Sequence, residues 1–74
     1  MDFSYDKAIG NKIRDLRVNR GMTQDDLAAQ LQIHDCDITR SALAKIEVGQ
    51  RHIYAKEIKA FKEIFRITYE ELFV

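Results

Sequence analysis

The 74-residue sequence predicts an all-α fold, a compact bundle of about five short helices forming one domain over residues 1–74. Three observations lead there. Proline is absent and 46% of the residues are hydrophobic, so nothing breaks a helix and enough apolar surface exists for a small core. Apolar residues return at helical spacing in one segment after another. The segments are punctuated by helix signals, with Thr at several starts and Gly at two ends.

The first helix is expected to open after Ser4 as its cap and to run through Arg20. Ile9, Ile13 and Leu16 recur at i, i+4, i+7 and give it one buried stripe. Gly21 ends it in the left-handed conformation that glycine adopts most readily. Arg14, Arg17 and Arg20 load the last turns with positive charge, which suits the negative end of the helix dipole.

Thr23 caps the second helix, and Asp26 three residues on can reach back to its amide, a capping box. Leu27, Ala28 and Leu31 share one face. Asp25 and Asp26 fit the positive dipole end. Gln24 lies in the same first turn, where free backbone N–H groups make an anion site.

Thr39 caps the third helix, over about residues 40–48. Leu43 and Ile46 point to one side. Arg40, Ser41, Ala44, Lys45 and Val48 fall on the other at i, i+1, i+4, i+5, i+8, and Gly49 closes the helix. An apolar back with a small, basic front fits a helix that enters a DNA major groove. Arg40 carries a fork that matches guanine O6 and N7, worth ~1–3 kcal/mol of discrimination. Ser41 can donate or accept, and Lys45 lies one turn later. Ala42 and Ala44 keep the surface low, and either fits the core or a thymine methyl. Arg40, Ser41, Ala44 and Lys45 are therefore the candidates for base contact.

Ile58, Phe61 and Phe65 define a fourth helix over about 54–65, with Ile64 joining that face and Ile67 closing the core. Thr68 with Glu71 forms another capping box and opens a last short helix over about 69–73. Leu72, Phe73 and Val74 then form an apolar end. A monomer buries one or two of them; an exposed remainder marks an interface, so all three are candidate dimer contacts.

Composition narrows the functions. Formal net charge is zero, which weighs against strong long-range attraction to nucleic acid. Residues 1–22 nevertheless carry five Lys/Arg against three Asp, and residues 36–56 four against two, while residues 23–35 hold three Asp and no cation. A DNA-facing patch can thus be locally basic. One cysteine rules out an internal disulfide framework and fits a reducing compartment. No apolar run approaches the ~20 residues that span a bilayer. The first residues lack the apolar core of a signal peptide. A cytoplasmic location without membrane association is the expectation. His34, Asp35, Cys36 and Asp37 are metal-ligand types, but a structural zinc wants four ligands in spaced pairs, and His52 is the only other histidine. No metal and no cofactor are expected. Nor is there a catalytic constellation, since no nucleophile–base order, phosphate loop or carboxylate pair appears, so an enzyme is not expected and no residue is assigned as catalytic.

GMTQDDLA followed by KIEVGQR resembles the helix-turn-helix domain of the Xre/Cro family, the phage-repressor-like regulators. Gln24, Glu47, Gly49 and Arg51 match its pattern, and the similarity extends upstream through IGNKIRDLRVNRG and downstream through KEIKAFKEIFRITYEELF. The resemblance implies a lambda-repressor-like DNA-binding fold with residues 40–48 as recognition helix. It implies that Gln24 meets a DNA phosphate and braces the recognition helix, with Thr23 beside it. It places Gln50 and Arg51 where the chain crosses the DNA backbone. It pairs Arg17 with Glu47 as a structural ion pair bridging helices, in preference to a phosphate contact by Arg17. Relatives carry a small residue where Lys62 stands, so the Lys62 stem is expected along the core edge. They dimerise through the C-terminal end.

One stretch departs from that pattern. QIHDCDI, between Leu31 and Thr39, exceeds the usual 3–4-residue turn. Either the second helix runs on for half a turn, or a loop covers Ile33 or Ile38. The function implied is a sequence-specific double-stranded-DNA-binding regulator of transcription, a repressor acting as a homodimer on a near-palindromic operator. The alternative is an interaction module, an antitoxin or anti-repressor component whose main partner is a protein.

Overall fold

The computed structural model describes residues 4–73. Five helices follow in order: α1 (Ser4–Asn19), α2 (Gln24–Ile33), α3 (Arg40–Glu47), α4 (Ala55–Phe65) and α5 (Tyr69–Leu72). The described residues contain no strand, and the expected all-α bundle of five short helices holds.

The starts follow the threonines. The hydroxyl oxygens of Thr23, Thr39 and Thr68 accept from the amides of Asp26, Ala42 and Glu71. Asp26 returns the bond to the Thr23 amide at 2.8 Å, completing its capping box. Glu57 accepts from the Tyr54 amide at 3.0 Å and performs half of that service for α4. Ser4 departs from expectation. It is already helical, one of the residues of α1 rather than the cap before it.

The ends share one device. After each of α1 to α4 comes a left-handed residue: Gly21, Asp35, Gly49 and Arg66, at φ between 55° and 76°. The next amide then reaches five residues back: Met22 to Arg17, Cys36 to Leu31, Gln50 to Lys45 and Ile67 to Lys62, at 2.8–3.2 Å. These bonds satisfy carbonyls that a helix end would leave without partners.

Residues 34–39 combine the two expected alternatives. α2 runs on past Leu31 to Ile33, and a loop then packs Ile38 beneath it. Ile33 is 71% exposed, so it is Ile38 that fills the core. Cys36 is buried with it, its amide tied to Leu31 of α2. The additional length is therefore a packed wedge with two apolar plugs.

Ile13, Leu27, Leu31, Ile38, Leu43, Ile46, Phe61, Phe65 and Leu72 are fully buried and form the centre of the core. Each such side chain contributes about 1.5–3 kcal/mol through the area removed from water. Leu72 belongs to this set: of the three residues expected at the apolar end as dimer contacts, it is one that α5 turns inward and buries within the chain itself. Ile58, Ile64 and Ala42 pack partly buried around the centre. Lys62 is half-buried, with its ammonium 5.0 Å from the Tyr69 ring centroid.

α1 crosses directly behind α3. Gly10 is buried there, and a Cβ at that position would overlap the Ile46 carbonyl oxygen. Gly49 lies against Lys7 of α1, where a Cβ would also be too close, though less severely than at Gly10. Among the described residues no helix is long and apolar enough to cross a membrane.

Candidate nucleic-acid interface

α3 is fixed from behind by one buried carboxylate. Glu47, 2% exposed, accepts from Arg17 Nε at 2.8 Å and Nη2 at 3.0 Å, and from the Gln24 side-chain amide at 3.1 Å. Arg17 uses Nη1 on the Met22 carbonyl at 2.8 Å. The hydrogen bond to Glu47 raises the Arg17 pKa, against the opposing effect of burial. A two-pronged Arg–carboxylate pair is directional, so it sets orientation as well as attraction. One point thus joins α1, the α1–α2 turn, the start of α2 and the end of α3. It ties the end of α3 to the start of α2.

The opposite side of α3 faces out. Arg40, Ser41, Lys45 and Val48 are exposed and Ala44 is half-buried between them, while Ala42 turns to the core. Arg40 Nε stands 3.6 Å from Asp25 Oδ1, with the two side chains 66% and 78% exposed. Between α3 and the start of α2 lies an open depression of about 460 Å³, lined by Arg17, Met22, Thr23, Gln24, Asp25 and Arg40. Both helices are capped at their starts, and α3 presents its polar face outward.

A family model described as a helix-turn-helix domain matches residues 10–73. The chain belongs to this helix-turn-helix family. Neither the curated proteins nor the solved structures compared with it gave a match.

The match spans α2, residues 34–39 and α3, which are the two helices and the connection that the sequence resemblance expects to form the motif. The residues assigned to phosphate contact are placed unevenly. Thr23 and Gln24 sit together at the start of α2, rimming the depression. Thr23 spends its hydroxyl oxygen as the capping acceptor, which leaves the O–H to donate. Gln50 is exposed directly after the Gly49 turn. Arg51 is differently employed. Its Nη1 and Nη2 meet Glu57 Oε1 and Oε2 at 2.8 and 2.9 Å, and Nη1 also donates to the His52 carbonyl at 2.9 Å. Its guanidinium lies 5.8 Å from the Tyr54 ring centroid. Here Arg51 is a brace for the α3–α4 segment, neutralised by Glu57. Burial pushes the Glu57 carboxyl up, but the Arg51 and Tyr54 hydrogen bonds and the charges of Arg51 and Lys56 together hold it below the usual range.

Sequence reasoning missed the partner that docks this segment. Asp6, in the first turn of α1, meets His52 Nδ1 at 2.7 Å and accepts the Ile53 amide at 3.1 Å. A contact across 46 residues leaves no local signal. Arg20 does more than complement the α1 dipole, since its guanidinium lies over the Phe65 ring, 5.1 Å from the centroid.

The HDCD stretch separates. Cys36 points into the core, where burial pushes its thiol pKa up and keeps it protonated. His34 is exposed and approaches Glu63 at 3.5 Å. Among the described residues no three His, Cys, Asp or Glu side chains are placed to hold a metal ion. Of the other terminal candidates, Phe73 is 45% exposed near Tyr69, which is 46% exposed, and Val74 lies outside the described residues.

Proposed function

We propose that this chain is a sequence-specific, double-stranded-DNA-binding regulator of transcription of the Xre/Cro-like, phage-repressor type. The observation that carries the reading is the pair of faces on α3, with Glu47 anchored behind and Arg40, Ser41, Ala44 and Lys45 presented in front. A helix held this way enters the major groove with its first turn toward base edges. Arg40 reads guanine, Ser41 and Lys45 contact neighbouring edges, and Ala44 permits close approach. Thr23, Gln24 and Gln50 meet phosphates on either side of the groove and fix the register. Arg51 holds the segment that presents Gln50. The domain acts as a repressor, as a homodimer whose recognition helices lie ~34 Å apart on a near-palindromic operator. Phe73, with Val74, supplies the dimer contact.

The experiment is selection from random duplex DNA at moderate salt, followed by sequencing of what the purified protein retains. The expected result is an inverted repeat with half-sites about one helical turn apart. Weak, salt-sensitive retention without an enriched sequence overturns the reading. It would favour the second one, a module whose main partner is a protein. That alternative draws on the zero net charge and on exposed Ile33 next to the acidic loop residues Asp35 and Asp37.

A further inference from the structure

Two adjacent acids open α2, and the structure gives them different partners. Asp26 is bound into the cap, exchanging hydrogen bonds with Thr23 at 2.8 and 3.0 Å. Asp25 lies outside that box. Its contact is with Arg40 Nε, across the gap between the motif helices, on the rim of the depression beside Thr23 and Gln24. A carboxylate there opposes a DNA phosphate, on the surface where a DNA-binding domain needs positive charge.

We propose that Asp25 is a specificity-determining residue: it holds Arg40 for base reading and withholds it from phosphates. The inference rests on the DNA-binding reading above. An unrestrained arginine in the first turn of a recognition helix can pair with the phosphates of any duplex, which strengthens binding without discrimination. Asp25 competes with the phosphates for that charge. It meets the guanidinium at Nε, and the two terminal nitrogens can still fork onto guanine O6 and N7. A duplex lacking guanine at that place offers Arg40 nothing better than Asp25, and sets Asp25 against the phosphate backbone. Discrimination then comes from a cost placed on wrong sites as much as from attraction to the right one.

The test compares wild type with Asp25→Asn on two duplexes of equal length and composition at fixed salt: the one recovered by selection and a scrambled one. Asp35→Asn provides the same charge change on the loop after α2, at a left-handed position that Asn tolerates. The expected result is that Asp25→Asn binds the scrambled duplex roughly two- to fivefold tighter, the range of an exposed ion pair. The selected duplex gains less, so the specificity ratio falls, and repeated selection shows a weaker guanine preference. Asp35→Asn leaves the ratio unchanged, and in an Arg40→Ala background Asp25→Asn no longer alters it. An unchanged ratio for Asp25→Asn overturns the inference, whether or not its melting temperature falls from loss of a dipole charge. Equal changes from both acidic variants also overturn it, because bulk charge would then be the cause. If wild type itself does not discriminate between the duplexes, the DNA-binding reading fails and this inference falls with it.

Discussion

Behind α3, Arg17 and Glu47 meet at 2.8 Å with side chains 11% and 2% exposed; in front, Arg40 and Asp25 stand 3.6 Å apart with side chains 66% and 78% exposed. The chemistry is the same and the consequences differ. The rear pair has surrendered its water, so each member depends on the other and on Gln24 and Met22. The front pair keeps its water, costs little to open, and so remains free to exchange partners. Burial, rather than the identity of the charges, separates a structural pair from one suited to recognition.

The largest effect should come from the rear. Glu47→Ala leaves the Arg17 guanidinium and the Gln24 amide without their acceptor, and Arg17→Ala leaves a buried carboxylate without its cation. Each should cost about 3 kcal/mol. For a domain of this size that lowers the melting temperature by about 15 °C, measured without DNA. An unchanged melting temperature would erase the contrast between the pairs.

Gly10→Ala attacks the same seam through sterics. An exposed helical site would gain about 1 kcal/mol from the exchange. Here the new methyl group meets the Ile46 carbonyl, part of the backbone, and cannot be absorbed by a rotamer change. The net expectation is a loss of about 2 kcal/mol, read by chemical denaturation. A stabilised variant would show that α1 and α3 are not in close contact.

At the front, Arg40→Ala and Lys45→Ala should each weaken binding to the selected duplex about tenfold, within the range of a lost base contact. Their unfolding free energies should stay within about 0.5 kcal/mol of wild type, as is typical of surface changes. A variant that bound as wild type would move the recognition face elsewhere on α3.

Acid should act through Glu57 and Asp26. Glu57 and Asp26 have lowered pKa values, so the folded state favours their ionised forms. Their stabilisation is complete above the ordinary carboxylate range, about pH 4, and drains away as pH falls through the lower folded values. The melting temperature should hold from neutrality down to that range and then decline, and Glu57→Gln should shallow the decline. An identical acid profile for the variant would count against the Arg51–Glu57 brace.

The contrast between the pairs was only partly legible in the sequence. Thr23, Thr39 and Thr68 announce helix starts because a short hydroxyl side chain does little else so well at that position. Gly21 and Gly49 announce ends for a comparable reason. The outward α3 face was readable from periodicity, since Leu43 and Ile46 fix which side is core. Asp6–His52, Asp25–Arg40 and Arg20–Phe65 join residues distant in sequence, and spacing along one helix carries no information about them. The 34–39 wedge was visible as excess length. That Ile38 and Cys36, rather than Ile33, would plug it depended on Asp35 turning left-handed, which its side chain permits without demanding.

Arg66 extends that lesson and gives the smallest predicted effect. It ends α4 in the left-handed region at φ 55°, where a Cβ crowds the neighbouring carbonyl, and its residue is exposed. Arg66→Gly removes that crowding, while glycine gives up more freedom on folding. The difference should leave a gain of about 0.5 kcal/mol, a rise of roughly 3 °C. Asp35→Gly should gain less, because a short polar side chain tolerates this region better than arginine does. Neither variant touches either arginine–carboxylate pair around α3. Binding to the selected duplex should therefore stay unchanged while stability moves, the reverse of Arg40→Ala. If Arg66→Gly weakened binding while raising the melting temperature, the end of α4 would belong to the interface, and recognition would not be confined to the front of α3.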